Sequence, residues 1–187
     1  QALDTIFPGP DGEAPKDMLV QELPDILLDE DILIVDKPSG LRTIPDGYQP
    51  LLPCLGKQLR ENYGQVFVVH RLDKEPNSVI LFARNIEAYR KLNLQFENRL
   101  VTKTYHAICT GYPQWQRFTA NFPLKVNDDR RYRSIIDHQI GKPATSEFII
   151  LHKGASPLTE IYPNSGYTHI ARAHAAAVAI PLLSDPL

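Results

Sequence analysis

At 187 residues, with 43% hydrophobic and 22% charged content, the chain has the size and composition of one ordinary globular domain that can bury a core. No apolar run approaches the roughly 18 residues of a membrane span, and residues 1–20 lack the basic start and apolar stretch of a signal peptide. The net charge of −2 argues weakly against a nucleic-acid partner, but it hides an uneven distribution. Residues 1–36 hold ten Asp/Glu and one Lys, a balance of −9, while the remainder holds twelve Asp/Glu and nineteen Lys/Arg, a balance of +7. An acidic leading segment therefore conceals a basic body, which suits either a mixed solvated surface or a phosphate-binding face. Cys54 and Cys109 lie far apart in unrelated contexts and read as reduced, part-buried thiols of a cytoplasmic protein.

Residues 1–23 carry Pro8-Gly9-Pro10, Gly12 and Pro15 with little periodicity, and read as an extended acidic arm ahead of a domain over 24–187. Ile26-Leu27-Leu28 and Ile32-Leu33-Ile34-Val35 flank Asp29-Glu30-Asp31, the pattern of a hairpin with a short turn. Lys37-Pro38-Ser39-Gly40 breaks the second strand. Leu51 to Asn62 has a helical period, with Leu52, Leu55 and Leu59 on one face and Pro53 in the first turn. Val66 to Val69 and Val79 to Ala83 read as strands around a loop that contains His70-Arg71-Leu72-Asp73. Asn85 suits the N-cap of a helix to about Arg99, with Leu92, Phe96 and Leu100 as a core stripe. Lys103 to Thr110 alternates as a strand, residues 112–143 read as irregular around Arg130-Arg131-Tyr132-Arg133, and Ser146 to Leu151 is another strand. Ala171 to Ala179 is Ala-rich and helical in propensity. Strands and helices mix without regular βα alternation, which predicts an α+β fold around a mainly antiparallel mixed sheet with flanking helices.

The loop after Val69 places a carboxylate where a strand gives way to a turn, a position that a sheet can hold rigidly. His-Arg-Leu-Asp alone reads first as a surface salt-bridge cluster. Four blocks in order carry more. They are Ile32-Leu33-Ile34-Val35-Asp36-Lys37-Pro38-Ser39-Gly40-Leu41; His70-Arg71-Leu72-Asp73 with Val79-Ile80-Leu81-Phe82-Ala83; Lys103-Thr104-Tyr105-His106-Ala107 closed by Gly111; and Gly166-Tyr167-Thr168-His169-Ile170-Ala171-Arg172-Ala173-His174 with Ile180-Pro181 and Asp185. Over residues 24–187 the chain resembles the RluA-type family of RNA pseudouridine synthases. The resemblance implies the pseudouridine synthase catalytic-domain fold and isomerisation of uridine to pseudouridine in structured RNA, a stem-loop of transfer or ribosomal RNA.

By the same resemblance Asp73 is the catalytic aspartate, Tyr105 the active-site tyrosine and Arg172 the basic partner that pairs with the aspartate. Arg71 would help to hold the flipped-out nucleotide, and His70, Lys103, His169 and Lys37 are expected at the substrate-binding face. The turn that begins at Lys37 would shape the pocket rim. Departures from the family pattern are Pro76-Asn77-Ser78, where Thr-Ser-Gly is usual, and Tyr167, Ile170 and Ala171 in the fourth block. The family's domains also continue past the position of Asp185, so the chain is expected to lack a C-terminal end.

The chemistry asks for an ionised nucleophile, a place for a proton and a dry pocket, but no redox step, metal or energy source. No cofactor is expected. An arginine beside Asp73 would keep the carboxylate charged. Tyr105 offers a ring to stack on uracil, and a phenol of ordinary pKa about 10 is a poor base. The uridine must be flipped out or lie in a loop. His169 and His174 with Asp185 suggest a metal set, but five-residue spacing puts the two histidines on different helix faces, so no metal is expected. No membrane contact is expected and the protein is read as a monomer. The alternative is an RNA-binding protein of the same fold weakened in turnover by the departures around Asp73 and Tyr167.

Overall fold

The computed structural model describes residues 25–126 and 133–185. Among these, ten strands and three helices divide at Asn98 and Arg99 into two units, each with its own sheet. The arm at 1–23 and Arg130, Arg131 and Tyr132 lie outside the described residues.

In the first unit, β1 (Asp25–Leu28) and β2 (Ile32–Lys37) form the expected hairpin. Asp29 makes the turn: its Oδ1 accepts the N–H groups of Asp31 at 2.8 Å and Ile32 at 2.7 Å, which lowers the pKa of its carboxyl. β2 is central and alternates, so Leu33, Val35 and Lys37 are buried while Asp36 faces out. It pairs with β4 (Ser78–Ala83), and the two-residue β3 (Phe67–Val68) closes the antiparallel order β1-β2-β4-β3. Leu33, Val35, Ile80 and Phe82 pack with Leu55 and Leu59 of α1 (Leu55–Tyr63).

α1 starts four residues later than the periodicity suggests. Its first amides dock on backbone carbonyls, Leu55 N–H on Arg42 O at 2.8 Å and Gly56 N–H on Thr43 O at 3.0 Å. Pro53 therefore precedes the helix. α2 (Ile86–Glu97) is capped as expected, because Asn85 Oδ1 accepts the Ala88 N–H at 2.9 Å. Its stripe is not core: Leu92 and Phe96 are half-buried, and Leu100 lies past the helix at 72% exposure, after Arg99 takes a left-handed φ of 57°.

In the second unit, β5 (Tyr105–Ile108), β6 (Arg117–Asn121), β9 (Thr145–His152) and β10 (Leu158–Pro163) form an antiparallel sheet ordered β5-β10-β9-β6. β7 (Leu124–Lys125) and β8 (Ile135–Ile136) make a two-stranded ribbon. Residues 112–143 are thus not irregular throughout, since β6, β7 and β8 fall among them. Cys109, Ala120, Phe148, Ile150 and Ile161 pack with Ala175 of α3 (Ile170–Ala177).

α3 ends two residues before the Ala-rich run does. Ala179 turns left-handed at φ 61°, its N–H bonds Ala176 O at 3.1 Å, and Ile180 N–H bonds Ala175 O at 3.0 Å, the pairing of a Schellman cap without its usual glycine. Gly111, at φ 109°, meets this cap so closely that a Cβ there would stand 2.7 Å from Ala179 O. Among the described residues every pairing of two named strands is antiparallel, and the α+β class read from the sequence is the one the chain adopts.

Candidate active site

The predicted site residues divide between the units, with Asp73, Arg71, His70 and Lys37 in the first and Tyr105, Lys103, His169 and Arg172 in the second.

In the first unit, the loop between β3 and β4 is tied down on both sides of Asp73. Thr43 Oγ1 accepts the Leu72 N–H at 3.2 Å and donates to Leu72 O at 3.3 Å. On the other side, Lys74 O accepts from Lys37 Nζ at 3.0 Å and from Gly40 N–H at 2.9 Å. Ser39 Oγ donates to Glu75 O. The half-buried Asp73 side chain is thus carried by a backbone that cannot drift.

Lys37 has no exposed surface. Its three protons go to Pro38 O at 2.9 Å, Leu41 O at 2.9 Å and Lys74 O. Burial pushes its pKa down, against Glu75 and Asp73, whose charges push it up. The Lys37 ammonium, expected at the substrate-binding face, is spent inside the turn on three carbonyls, and there it fixes the backbone that carries Asp73. His70 Nε2 accepts the Leu81 N–H at 3.1 Å, and its ring stacks on Phe96 at 4.8 Å, so this bond puts the ring proton of the neutral imidazole on Nδ1. Arg71 is exposed.

In the second unit, Tyr105 opens β5 opposite Ile161 and is half-buried against the core. Two residues earlier, Lys103 Nζ donates to Ser165 O at 2.9 Å, and burial lowers its pKa. His169 is the N-cap of α3, with φ 57°. Arg172 lies in the first turn of α3 and is 15% exposed. Its Nε donates to Asp185 Oδ2 at 2.8 Å and its Nη2 to Asp185 Oδ1. The sequence reading expected a carboxylate partner in Asp73; within its own unit the carboxylate on Arg172 is Asp185.

His174 is fully buried, with Nδ1 2.9 Å from Ser146 Oγ and Nε2 2.9 Å from Phe122 O. Both ring nitrogens are used for structure. Among the described residues, no group of three or more His, Cys, Asp or Glu is placed to hold a metal ion. Sequence reasoning missed Thr43, Ser39 and the role of Asp185. The first two sit in or beside the quoted Lys-Pro-Ser-Gly turn, and the third was in the fourth block without a task.

The profile of the family described as RNA pseudouridylate synthase matches residues 31–177, and runs across the division between the units. The chain belongs to the RNA pseudouridylate synthase family. It is 31% identical over 166 residues to the dual-specificity RNA pseudouridine synthase RluA of Vibrio vulnificus (strain CMCP6), covering 86% of this chain and 66% of that protein. To the protein of the same name from Escherichia coli (strain K12) it is 30% identical over 159 residues, covering 84% of this chain and 73% of the other. Among solved structures, human RNA pseudouridylate synthase domain containing 1 superposes with a TM-score of 0.75 at 26% identity, over 88% of this chain and 68% of that one. The chain thus spans about two thirds of the length of several of its relatives. Among the described residues no helix is long and apolar enough to cross a membrane.

Proposed function

We propose that this protein converts specific uridines to pseudouridine in structured RNA, a stem-loop of transfer or ribosomal RNA, with Asp73 as nucleophile. The single observation that carries this reading is the pinning of the Asp73 loop, with Leu72, Lys74 and Glu75 on either side all hydrogen-bonded to residues 37–43. A surface salt-bridge cluster has no need of such a scaffold. The reaction breaks the bond from uracil N1 to ribose C1′ and forms one from C5 to C1′; C5 loses a proton and N1 gains one, so no co-reactant enters. In this reading Tyr105 stacks on the uracil, and Arg172 supplies positive charge to Asp73. Arg71, exposed on the loop, fills the space left by the flipped nucleotide, and Lys103 and His169 line the substrate side.

The curated relatives are named for dual-specificity RNA pseudouridine synthesis, which supports RNA as the substrate. The experiment uses RNA from cells that lack this protein, grown on uridine tritiated at C5. Each isomerised uridine releases tritium to water. Wild type releases tritium in a single turnover and Asp73→Asn does not. Retention of more than about a tenth of the wild-type rate by the variant removes Asp73 as the nucleophile. Binding without release by the wild type would establish the weakened RNA-binding reading instead.

A further inference from the structure

The placement of Asp185 goes beyond the roles already assigned. From it we infer that Asp185 is a positioning residue for the isomerisation, holding the Arg172 guanidinium in one plane and one rotamer. This inference rests on the proposed role of Arg172.

Asp185 lies in a segment that is itself locked. After α3 the chain returns beside the end of β5, where Thr110 N–H donates to Pro181 O at 2.8 Å and Leu183 N–H to Ile108 O at 2.8 Å. Cys109 and Leu182 face each other across that antiparallel bridge. A turn then follows, closed by Asp185 N–H on Leu182 O at 3.3 Å, in which Ser184 takes a φ of 59°. A serine in the left-handed region is disfavoured, and such backbone persists where its surroundings hold it. What the turn delivers is the Asp185 carboxylate, set side-on against Arg172. Both oxygens are used, on Nε and on Nη2, and the pair is 15% and 11% exposed.

An arginine side chain has four rotatable bonds, so its charge is diffuse in space unless something fixes the planar head. A bidentate carboxylate fixes it in direction as well as distance. Contact on the Nε–Nη2 edge does not block the Nη1–Nη2 edge, which keeps its own direction toward a second acceptor. The strand β5, which anchors the Asp185 segment through Ile108 and, two residues past its end, through Thr110, begins with Tyr105. The tyrosine and the arginine are thus referenced to one piece of backbone, and a displacement of about 1 Å at such a site is enough to cost about a hundredfold in rate.

The test is a double-mutant cycle in the full protein with Arg172→Gln, Asp185→Asn and both together. The tritium-labelled RNA is the substrate, in single turnover over a range of enzyme concentrations that separates the saturating rate from the apparent affinity. Arg172→Gln is expected to lower the saturating rate by about a hundredfold or more, and Asp185→Asn by about tenfold or more with the half-saturating concentration changed less than about threefold. The double variant should be no slower than Arg172→Gln alone, because Asp185 has nothing left to orient. Multiplication of the two losses would mean that Asp185 acts independently of Arg172, and overturns the inference. A silent or faster Asp185→Asn beside a slow Arg172→Gln overturns it too and leaves the proposed function standing. A silent Arg172→Gln removes the role of Arg172 itself. If Asp185→Asn does not fold, the cycle is run with Asp185→Glu, which keeps the charge but moves it by one methylene. It should be slow alone and no slower when combined, and any other pattern counts against the inference.

Discussion

Lys37 carries three protons, and three carbonyls receive them. Lys37→Met keeps the length of the side chain and removes every donor, so Pro38, Leu41 and Lys74 lose a partner in a buried place. The cost expected is about 2–3 kcal/mol, seen as a lower thermal midpoint, together with slower tritium release because Lys74 adjoins Asp73. A variant with unchanged melting and unchanged turnover would show that the turn stands without its ammonium. His174 gives a second residue-level test, in pH. Burial holds its imidazole below the usual value, against the opposing pull of the Phe122 carbonyl. The unfolded chain therefore takes up this proton first, at about pH 6.5. The stability due to a neutral His174 is complete above that pH and falls as pH drops toward the folded-state value, by at most about 1.4 kcal/mol per pH unit. Melting temperatures from pH 7.5 to 5.5 should decline more steeply in wild type than in His174→Gln, and parallel lines would contradict the assignment. Neither behaviour is legible in sequence. A lysine in a motif reads as a hand for substrate, because nothing in the order of residues shows that backbone carbonyls surround it. Asp73, Tyr105 and Arg172 stood out only through the four blocks together, and Asp185 gained a task only when the return of the chain along β5 placed it.

The elements that the sequence made plain are those with an internal period or a chemical stop sign. β2 and β4 are apolar and β-branched, the turn at Asp29 is made by that side chain, and Asn85 caps α2. The strands missed in 112–143 are two to five residues long: β7 and β8 pair with each other over only two residues each, and β6 has its partner elsewhere in the chain, where Phe118 faces Phe148 and Ala120 faces Ser146. No window of local sequence contains that pairing. β10 was missed as well; it mixes Thr159 and Glu160 with apolar residues and ends on Pro163. The cap of α3 yields a pair of opposed predictions about glycine. Ala179 adopts a left-handed φ that glycine tolerates, so Ala179→Gly should raise stability by about 1 kcal/mol. Gly111 has φ 109° and a backbone carbonyl 2.7 Å from the place of a Cβ, so Gly111→Ala should lower stability by at least about 2 kcal/mol. Urea titrations of the two variants beside wild type measure both signs. A stabilised Gly111→Ala would mean that the chain end of α3 is not packed against β5 as described.

At the scale of the whole molecule, the charge record and the substrate are in tension, since a protein of net charge −2 is proposed to act on a polyanion. The distribution resolves the tension. Residues 1–23 carry five Asp/Glu and one Lys, so their removal shifts the balance from −2 to +2. RNA affinity comes largely from release of counterions by Lys and Arg near phosphates, and about five such contacts make binding roughly a hundredfold weaker between 50 and 200 mM salt. An acidic segment on the same chain opposes that term without cancelling it, because repulsion beyond a Debye length of about 10 Å is screened at ordinary ionic strength. Two expectations follow for a fluorescent stem-loop RNA with uridine in its loop, titrated by anisotropy. The full protein should bind with a steep salt dependence in spite of its sign. The protein without residues 1–23 should bind as tightly or more tightly, with its advantage largest at low salt and closing as salt is added. A large loss of affinity on truncation would put the acidic segment inside the RNA site, and a flat salt dependence would deny the basic body its phosphates.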